Sequence, residues 1–364
     1  MSSIIAKIKD SFGGLEKGEL VGIDIGLSAV KLAELSHAGR GKYKLNKYAS
    51  IPLSEAAIIE DEIQKPDEIL VAIKDALRES KISKKICNMG IDGPHTMTKR
   101  LQVPNGKDDD IEDNVVWETE QYIPFGAEDS ELDFSILNRG GEDDIVDVIV
   151  AAAKTPMIES YKELVEEAGM SVRNVDLNVF AITNLFEIWS GKNLSHYSER
   201  GVILIDFGAQ TTTVIVYKNN GPILTKEINY GGVLVTEEIQ RTLGVSYEEA
   251  EDLKMFGDDN GNLPEEVLEV VYSQVATMMT EIKKVLNFFV AVGSSDQVAH
   301  CFITGGTALL PGLPESLEET INIDVEFLNP FDVIDYNTKS INEDEINEMG
   351  LCGAVALGLA LRKV

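Results

Sequence analysis

The chain has 364 residues, 44% of them hydrophobic, and a formal net charge of −30 at pH 7. That length exceeds one small core and suits two lobes or several subdomains. So strong a negative field repels phosphate backbones and anionic lipid, which sets nucleic-acid binding aside and leaves solubility or a basic partner segment as its meaning. Cys87, Cys301 and Cys352 form no CxxC or CxxH pattern and lie in apolar stretches, so reduced, buried thiols are expected. No run approaches the ~18 apolar residues that cross a bilayer, and the N-terminus lacks a signal-peptide core. A cytoplasmic location is the expectation.

Ile4, Ile5, Ile8 and Phe12 recur at helical spacing with Lys7 and Lys9 between them, a pattern for packing on the protein body or for a weak membrane-surface helix. Strands follow at 20–25 and 29–35, then a helix at 67–80. The acidic run Asp108-Asp109-Asp110 precedes a helix expected over 111–123, which Pro124 stops. A strand at 132–137, a Gly140-Gly141 turn and a strand at 146–152 read as a hairpin, and a helix at 156–168 ends at Gly169. Residues 94–170 therefore read as an α+β insert. A helix at 179–189 leads to strands at 202–206, 212–217 and 223–228, the last two joined by Asn219-Asn220-Gly221, which favours a tight hairpin turn. Helical patterns fill 233–256 and 264–292. A strand at 299–304 and helices at 314–320 and 350–361 complete an α/β chain.

Two segments 182 residues apart share one design. Val21-Gly22-Ile23-Asp24-Ile25-Gly26-Leu27-Ser28 and Ile203-Leu204-Ile205-Asp206-Phe207-Gly208-Ala209-Gln210 each run an apolar strand into Asp, one residue, Gly, a short turn and a second strand. Glycine lets the backbone bend and approach a ligand, and successive turn N–H groups can face phosphate oxygens. Asp24 and Asp206 can hold the water shell of one Mg²⁺, which keeps its waters and takes few carboxylates. Lys31 can set a point charge on the phosphates. One such hairpin is an ordinary turn; two in matching context point to a triphosphate between two lobes. A third element, the strand Cys301-Phe302-Ile303-Thr304 running into Gly305-Gly306-Thr307, offers bare backbone for a flat nucleoside.

That order of motifs resembles the actin, heat-shock chaperone and sugar-kinase superfamily. Within it the chain resembles the PilM family of type IV pilus assembly proteins over nearly its whole length. The resemblance rests on Trp117-Glu118-Thr119-Glu120-Gln121-Tyr122-Ile123-Pro124-Phe125, on Tyr161 to Gly169, on Tyr230-Gly231-Gly232, on Ala250-Glu251-Asp252-Leu253-Lys254 and on Leu328-Asn329-Pro330-Phe331. It implies a two-lobed actin-like, ribonuclease H-like ATPase fold with an FtsA-like 1C insert in place of actin's 1B domain. Subdomain 1A would comprise 1–93 and 171–200, 1C 94–170, 2A 201–230 and 298–364, and 2B 231–297. ATP and Mg²⁺ would lie between the lobes. Asp24, Gly26, Ser28 and Lys31 match the first phosphate motif, Asp206, Gly208, Thr211 and Thr212 the second, and Gly305, Gly306 and Thr307 the adenosine loop. Gly232 matches a glycine against the nucleoside, while Glu251 and Lys254 would meet ribose and adenine. The implied partner is a PilN-like bitopic inner-membrane protein, whose cytoplasmic N-terminal peptide would enter a 1A/1C groove, with other cytoplasmic pilus-assembly components possible and the membrane met only through the partner.

Several residues depart from the pattern. Leu27 stands where relatives carry a hydroxyl, Lys226-Glu227 replaces a pattern that often holds an Arg, and Phe180 falls near actin's water-orienting Gln. His37, His95, His196 and His300 lie outside the three motifs. Tight ATP binding with slow or negligible turnover is therefore expected. Two other functions fit the same superfold. A sugar-type kinase needs an Asp base, for which Asp92 in Gly90-Ile91-Asp92-Gly93 is the candidate, although its context reads as a turn. An FtsA-like membrane-associated filament would need an anchor, and Ala360-Leu361-Arg362-Lys363-Val364 offers no amphipathic one. The Trp117 to Phe125 aromatics read as core in preference to groove.

Overall fold

The computed structural model describes residues 21–39, 42–59, 62–139, 144–258, 261–289, 298–338 and 343–362. The amphipathic pattern at 2–12 and the Gly140-Gly141 turn lie outside them. The chain begins as an antiparallel meander, β1 (Val21–Ile25), β2 (Ala29–Gly39) and β3 (Lys42–Pro52). β1 is buried on both faces, as its apolar run requires, whereas β3 alternates buried Tyr43 and Leu45 with exposed polar neighbours. A small hairpin, β4 (Ile58–Ile59) and β5 (Glu62–Ile63), leads to α1 (Pro66–Ser80), whose Ile69, Ala72, Ile73 and Ala76 share one buried face. β6 (Ile86–Ile91) then pairs parallel to β1.

The insert consists of β7 (Thr96–Pro104), α2 (Asp108–Glu120), β8 (Ser130–Arg139) and β9 (Ile145–Lys154), with sheet order β7-β9-β8. Its core is small: Val103, Ile111, Val115, Val146, Val148 and Val150. α2 starts three residues before the expected position, because the three aspartates occupy its first turn, where the helix dipole favours them. It also ends at Glu120, ahead of Pro124. α3 (Thr155–Glu167) follows. The sequence division put this helix in the insert, but it buries Met157, Tyr161, Leu164 and Val165 in the first lobe's core. The insert's own packing thus stops at β9. β10 (Ser171–Leu177), α4 (Asn178–Ser190) and α5 (Leu194–Arg200) complete the passage to the second lobe.

There a second meander forms from β11 (Val202–Phe207), β12 (Thr212–Tyr217) and β13 (Pro222–Ile228). Asn219 and Asn220 take φ of 52° and 62°, as a type I′ turn demands. α6 (Gly232–Leu243), α7 (Tyr247–Phe256) and α8 (Glu265–Phe289) come next. The one helical pattern expected over 233–256 is two helices, because Gly244 turns left-handed at φ 70° and Ser246 with Glu249 caps a new start. The chain ends with β14 (Cys301–Thr304), α9 (Leu313–Ile321), β15 (Val325–Phe327), β16 (Ile334–Asp335), α10 (Glu343–Cys352) and α11 (Ala354–Leu361).

The first sheet runs β10-β6-β1-β2-β3-β16 and the second β13-β12-β11-β14-β15. Apart from β16, each is an antiparallel triple continued by two parallel strands, so one architecture occurs twice. The sequence division also assigned all of 298–364 to subdomain 2A. Instead β16 pairs with β3, and the wholly buried α11 packs on β1, β2, β6 and α4, so the chain returns to the first lobe. β11 joins the lobes through its alternation: Val202 and Leu204 enter the first core, Ile203 and Ile205 the second. No helix among the described residues is long and apolar enough to cross a membrane.

Candidate functional site

The two Asp-Gly hairpins superimpose in their bonding. Gly26 N–H donates to the Ala29 carbonyl at 3.1 Å, and Gly208 N–H donates to the Thr211 carbonyl at 2.9 Å. Across each pair of strands Asp24 faces Lys31 and Asp206 faces Thr213. Lys31 Nζ lies 3.4 Å from Asp24 Oδ2, with both side chains nearly buried. Burial opposes the Lys31 charge, but Asp24 first, then Tyr48, Cys352 and Asp206, outweigh it and push its pKa up. Burial pushes Asp206 up to about 6, with Lys31 working against the shift and Asp24 adding to it.

Both hairpins open on one interlobe cavity of about 1210 Å³, which Gly26, Ser28, Lys31, Gly208 and Thr211 also line. The third motif reaches it because β14 runs parallel beside β11, aligning Thr304 with Asp206. Gly305 follows at φ 90°; a Cβ there would stand 2.5 Å from Asp206 Oδ1 and 2.3 Å from the Phe207 carbonyl oxygen. Glycine is therefore required by both torsion and space. Thr307 Oγ1 donates to the Gly208 carbonyl at 2.7 Å, tying the loop to the second turn. Gly232 opens α6 against the same threonine, whose Oγ1 would be 2.6 Å from an added Cβ.

Lys254 Nζ donates to the Gly232 carbonyl at 3.2 Å, to Thr236 Oγ1 at 2.8 Å and to Glu251 Oε2 at 2.6 Å. Burial lowers its pKa, with Glu251 opposing. Glu251, Lys254, Gly232, Gly306 and Thr307 all line the cavity. Thr212 does not join them. Strand alternation turns it inward, where its hydroxyl donates to the Tyr230 carbonyl at 2.6 Å, and Thr213 faces the cavity in its place.

Motif reading missed Asn178 and offered Asp92 only as a kinase base in a turn. Asp92 and Asn178 line the cavity together, because β6 and β10 are parallel with Ile91 opposite Leu177, and these two residues come next at that edge. Burial, then Glu227, with Asp206 and Asp24 behind it, pushes Asp92 up to about 8. Asn178 Oδ1 is buried without a hydrogen-bond partner. Phe180, two residues on, packs with the first core instead. The parallel pairing is the signal for this pair, and it is invisible to local pattern. Cys87 and Cys301 are buried free thiols as expected, but Cys352 lines the cavity, with Sγ 3.2 Å from the place of a Gly306 Cβ. None of the four histidines lines it. The Trp117 expectation also reverses: Trp117 is 63% and Tyr122 44% exposed, with Lys99 Nζ 2.9 Å from the Tyr122 ring centroid.

The donor set suits a hydrated Mg²⁺. Asp24 and Asp206 present carboxylates to one cavity, and no group of three or more His, Cys, Asp or Glu among the described residues could strip the ion of water.

A family profile described as type IV pilus assembly protein PilM matches residues 22–364. A solved PilM–PilN type IV pilus biogenesis complex superimposes with a TM-score of 0.83 at 27% identity, covering 96% of this chain and 99% of the other. The ethanolamine utilization protein EutJ from Carboxydothermus hydrogenoformans shares the fold, with a TM-score of 0.57 at 14% identity over 97% of this chain and 93% of its own. Cell division protein FtsA of Streptococcus pneumoniae is 23% identical over 364 residues, 86% of this chain and 76% of that protein. FtsA of Enterococcus faecalis is 24% identical over 205 residues, 50% of this chain and 44% of its own length. The chain spans about half the length of most curated relatives it matches. The architecture is the actin-like ATPase fold.

Proposed function

The chain belongs to the PilM family of type IV pilus assembly proteins, and we propose that it acts there as an ATP-binding adaptor. The observation that carries this reading is convergence. Three glycine motifs, spread from Asp24 to Thr307, meet around one cavity with a lysine and two carboxylates. Asp24 and Asp206 would hold Mg²⁺ through water. Lys31 would neutralise phosphate charge, and the Gly26-to-Ser28 and Gly208-to-Thr211 turns would donate to phosphate oxygens. Thr213 takes the place first given to Thr212. Gly305, Gly306, Thr307 and Gly232 would seat the nucleoside beside Glu251 and Lys254.

A PilN-like bitopic membrane protein is the partner this reading favours, bound through a cytoplasmic N-terminal peptide in the 1A/1C groove. Two things support it: the similarity to the PilM–PilN complex and the exposed Trp117 and Tyr122 on the insert. The protein would then work at the cytoplasmic face of the inner membrane, held there by its partner. Calorimetric titration with ATP, with and without Mg²⁺, tests the cleft; heat only in the presence of Mg²⁺ is expected, and no binding in either buffer would sink the reading. Titrating a synthetic PilN-like peptide tests the partner, with loss of affinity expected for Trp117→Ala if the insert presents the groove.

Phosphoryl transfer is the second reading, and Asp92 beside Asn178 is the observation for it. Wild-type protein should consume ATP slowly or not at all over a panel of sugars. Sugar-dependent turnover abolished by Asp92→Asn would favour the kinase instead.

A further inference from the structure

Where the insert's β7 meets β13 of the second lobe, one arginine bonds across the boundary. Along β7 the side chains of Leu101 and Val103 pack with the insert's core under α2, so Arg100, one position before Leu101, points to the opposite face. Its Nε donates to Asp147 Oδ1 at 2.8 Å and Oδ2 at 3.0 Å, and Nη2 closes the fork on the same carboxylate. That leaves Nη1 to donate to the Lys218 backbone carbonyl at 2.9 Å, across the lobe boundary. Lys218 enters the tight turn between β12 and β13.

The same turn is gripped from two more directions. Leu137 of β8 abuts Gly221, where an added Cβ would meet its Cδ1 at 3.0 Å. Ser198 of α5 accepts from Asn219 N–H on its carbonyl at 2.8 Å and from Asn220 N–H on its hydroxyl at 2.9 Å. The turn's end of the junction borders a polar cavity of about 470 Å³ lined by Arg100 and Asp147, so directional bonds act there beside the contact of β7 with β13. A joint of that kind has two discrete states, made and broken. β12 runs straight from this turn to Thr213, which lines the interlobe cavity opposite Asp206. One strand thus links the cleft to the insert.

We propose that Arg100 is a clasp that couples the insert to the second lobe, so that a ligand in the cleft and a partner on the insert change each other's affinity through β12. The coupling half rests on the adaptor reading; the clasp itself does not. It is therefore tested first in the empty protein. Arg100→Ala should speed hydrogen exchange at Asn219 and Asn220 at least tenfold and alkylation of Cys352 by iodoacetamide several-fold. Arg100→Lys, which keeps the charge beside Asp147 but cannot fork and reach Lys218 together, should fall between; it also stands in if the alanine variant does not fold. Unchanged exchange and alkylation in the folded variants would overturn the clasp.

The second arm titrates Mg²⁺·ATP with and without a synthetic PilN-like peptide. Wild type should show a several-fold mutual effect, and Arg100→Ala should keep each separate affinity within twofold while losing that effect. An effect that persists in Arg100→Ala overturns the coupling role. Failure of ATP to bind or to protect Cys352 in wild type would remove the adaptor reading and the coupling with it, while the exchange result still decides the clasp.

Discussion

The same row of residues crosses both sheets, and its charge differs between them. In the first lobe the row reads Gly90, Asp24, Lys31, Ser50; in the second it reads Thr304, Asp206, Thr213, Glu227. The backbone is the same to the turn hydrogen bond, yet the first row holds its own ion pair, whereas the second is composed of two carboxylates and two threonines. Lys31, whose charge acts on Asp206, belongs to the other lobe. Duplicated geometry has become a polarised cleft, with the acidic row on the second lobe. On the adaptor reading, Mg²⁺ with a triphosphate would answer both walls at once, the ion at Asp206 and the phosphates at Lys31.

Breaking the asymmetry tests it most strongly at its cation. Lys31→Ala should weaken Mg²⁺·ATP binding about 10- to 100-fold by calorimetry, whereas Thr213→Ala, its structural twin, should change affinity less than about threefold. The two aspartates should respond with opposite signs in urea melts of empty protein at pH 7.5. Asp24→Asn strips a buried lysine of its nearest counter-charge and should cost about 2 kcal/mol. Asp206→Asn removes a carboxylate that burial already disfavours and should stabilise by about 1 kcal/mol, while abolishing the Mg²⁺ dependence of nucleotide binding.

A pH series sharpens the same contrast. Asp206 and Asp92 titrate near 6 and 8 in the fold, above an unfolded value near 3.8. Between those limits the native state holds more protons than the unfolded chain, so stability should fall as pH rises from about 4 to about 8. The Asp206 share is complete just above pH 6 and the Asp92 share just above pH 8. Asp92→Asn should flatten the upper part and gain on the order of 1 kcal/mol at pH 8, read from melting temperature. The smallest effect separates neighbours on β12. Thr212→Val should cost about 1 kcal/mol through its bond to the Tyr230 carbonyl and leave nucleotide affinity alone; Thr213→Val should leave stability alone.

Much of this was legible locally. The paired hairpins, the Gly305-Gly306 turn and the Asn219-Asn220 turn were found because each is a short segment whose backbone demands particular residues. Errors arose where packing outranked pattern. The alternation that buries Thr212 and presents Thr213 depends on which face of β12 meets the cavity, and two adjacent threonines do not reveal it. The Gly244 and Gly353 breaks were hidden inside continuous apolar periodicity. α3 follows the insert in sequence but carries a hydrophobic face that fits the larger first core, and Trp117 looked like core until α2 spent its buried positions on Ile111, Val115 and Thr119.

The sequence by itself determined the family and the doubled hairpin device, because these follow from torsion and charge within a few neighbours. Tertiary structure alone decided the return of β16 and α11 to the first lobe, the meeting of Asp92 with Asn178, and the reach of Arg100 to Lys218. Each of these joins residues tens to hundreds of positions apart through strand order and packing, and no local periodicity encodes which distant surface a side chain will meet.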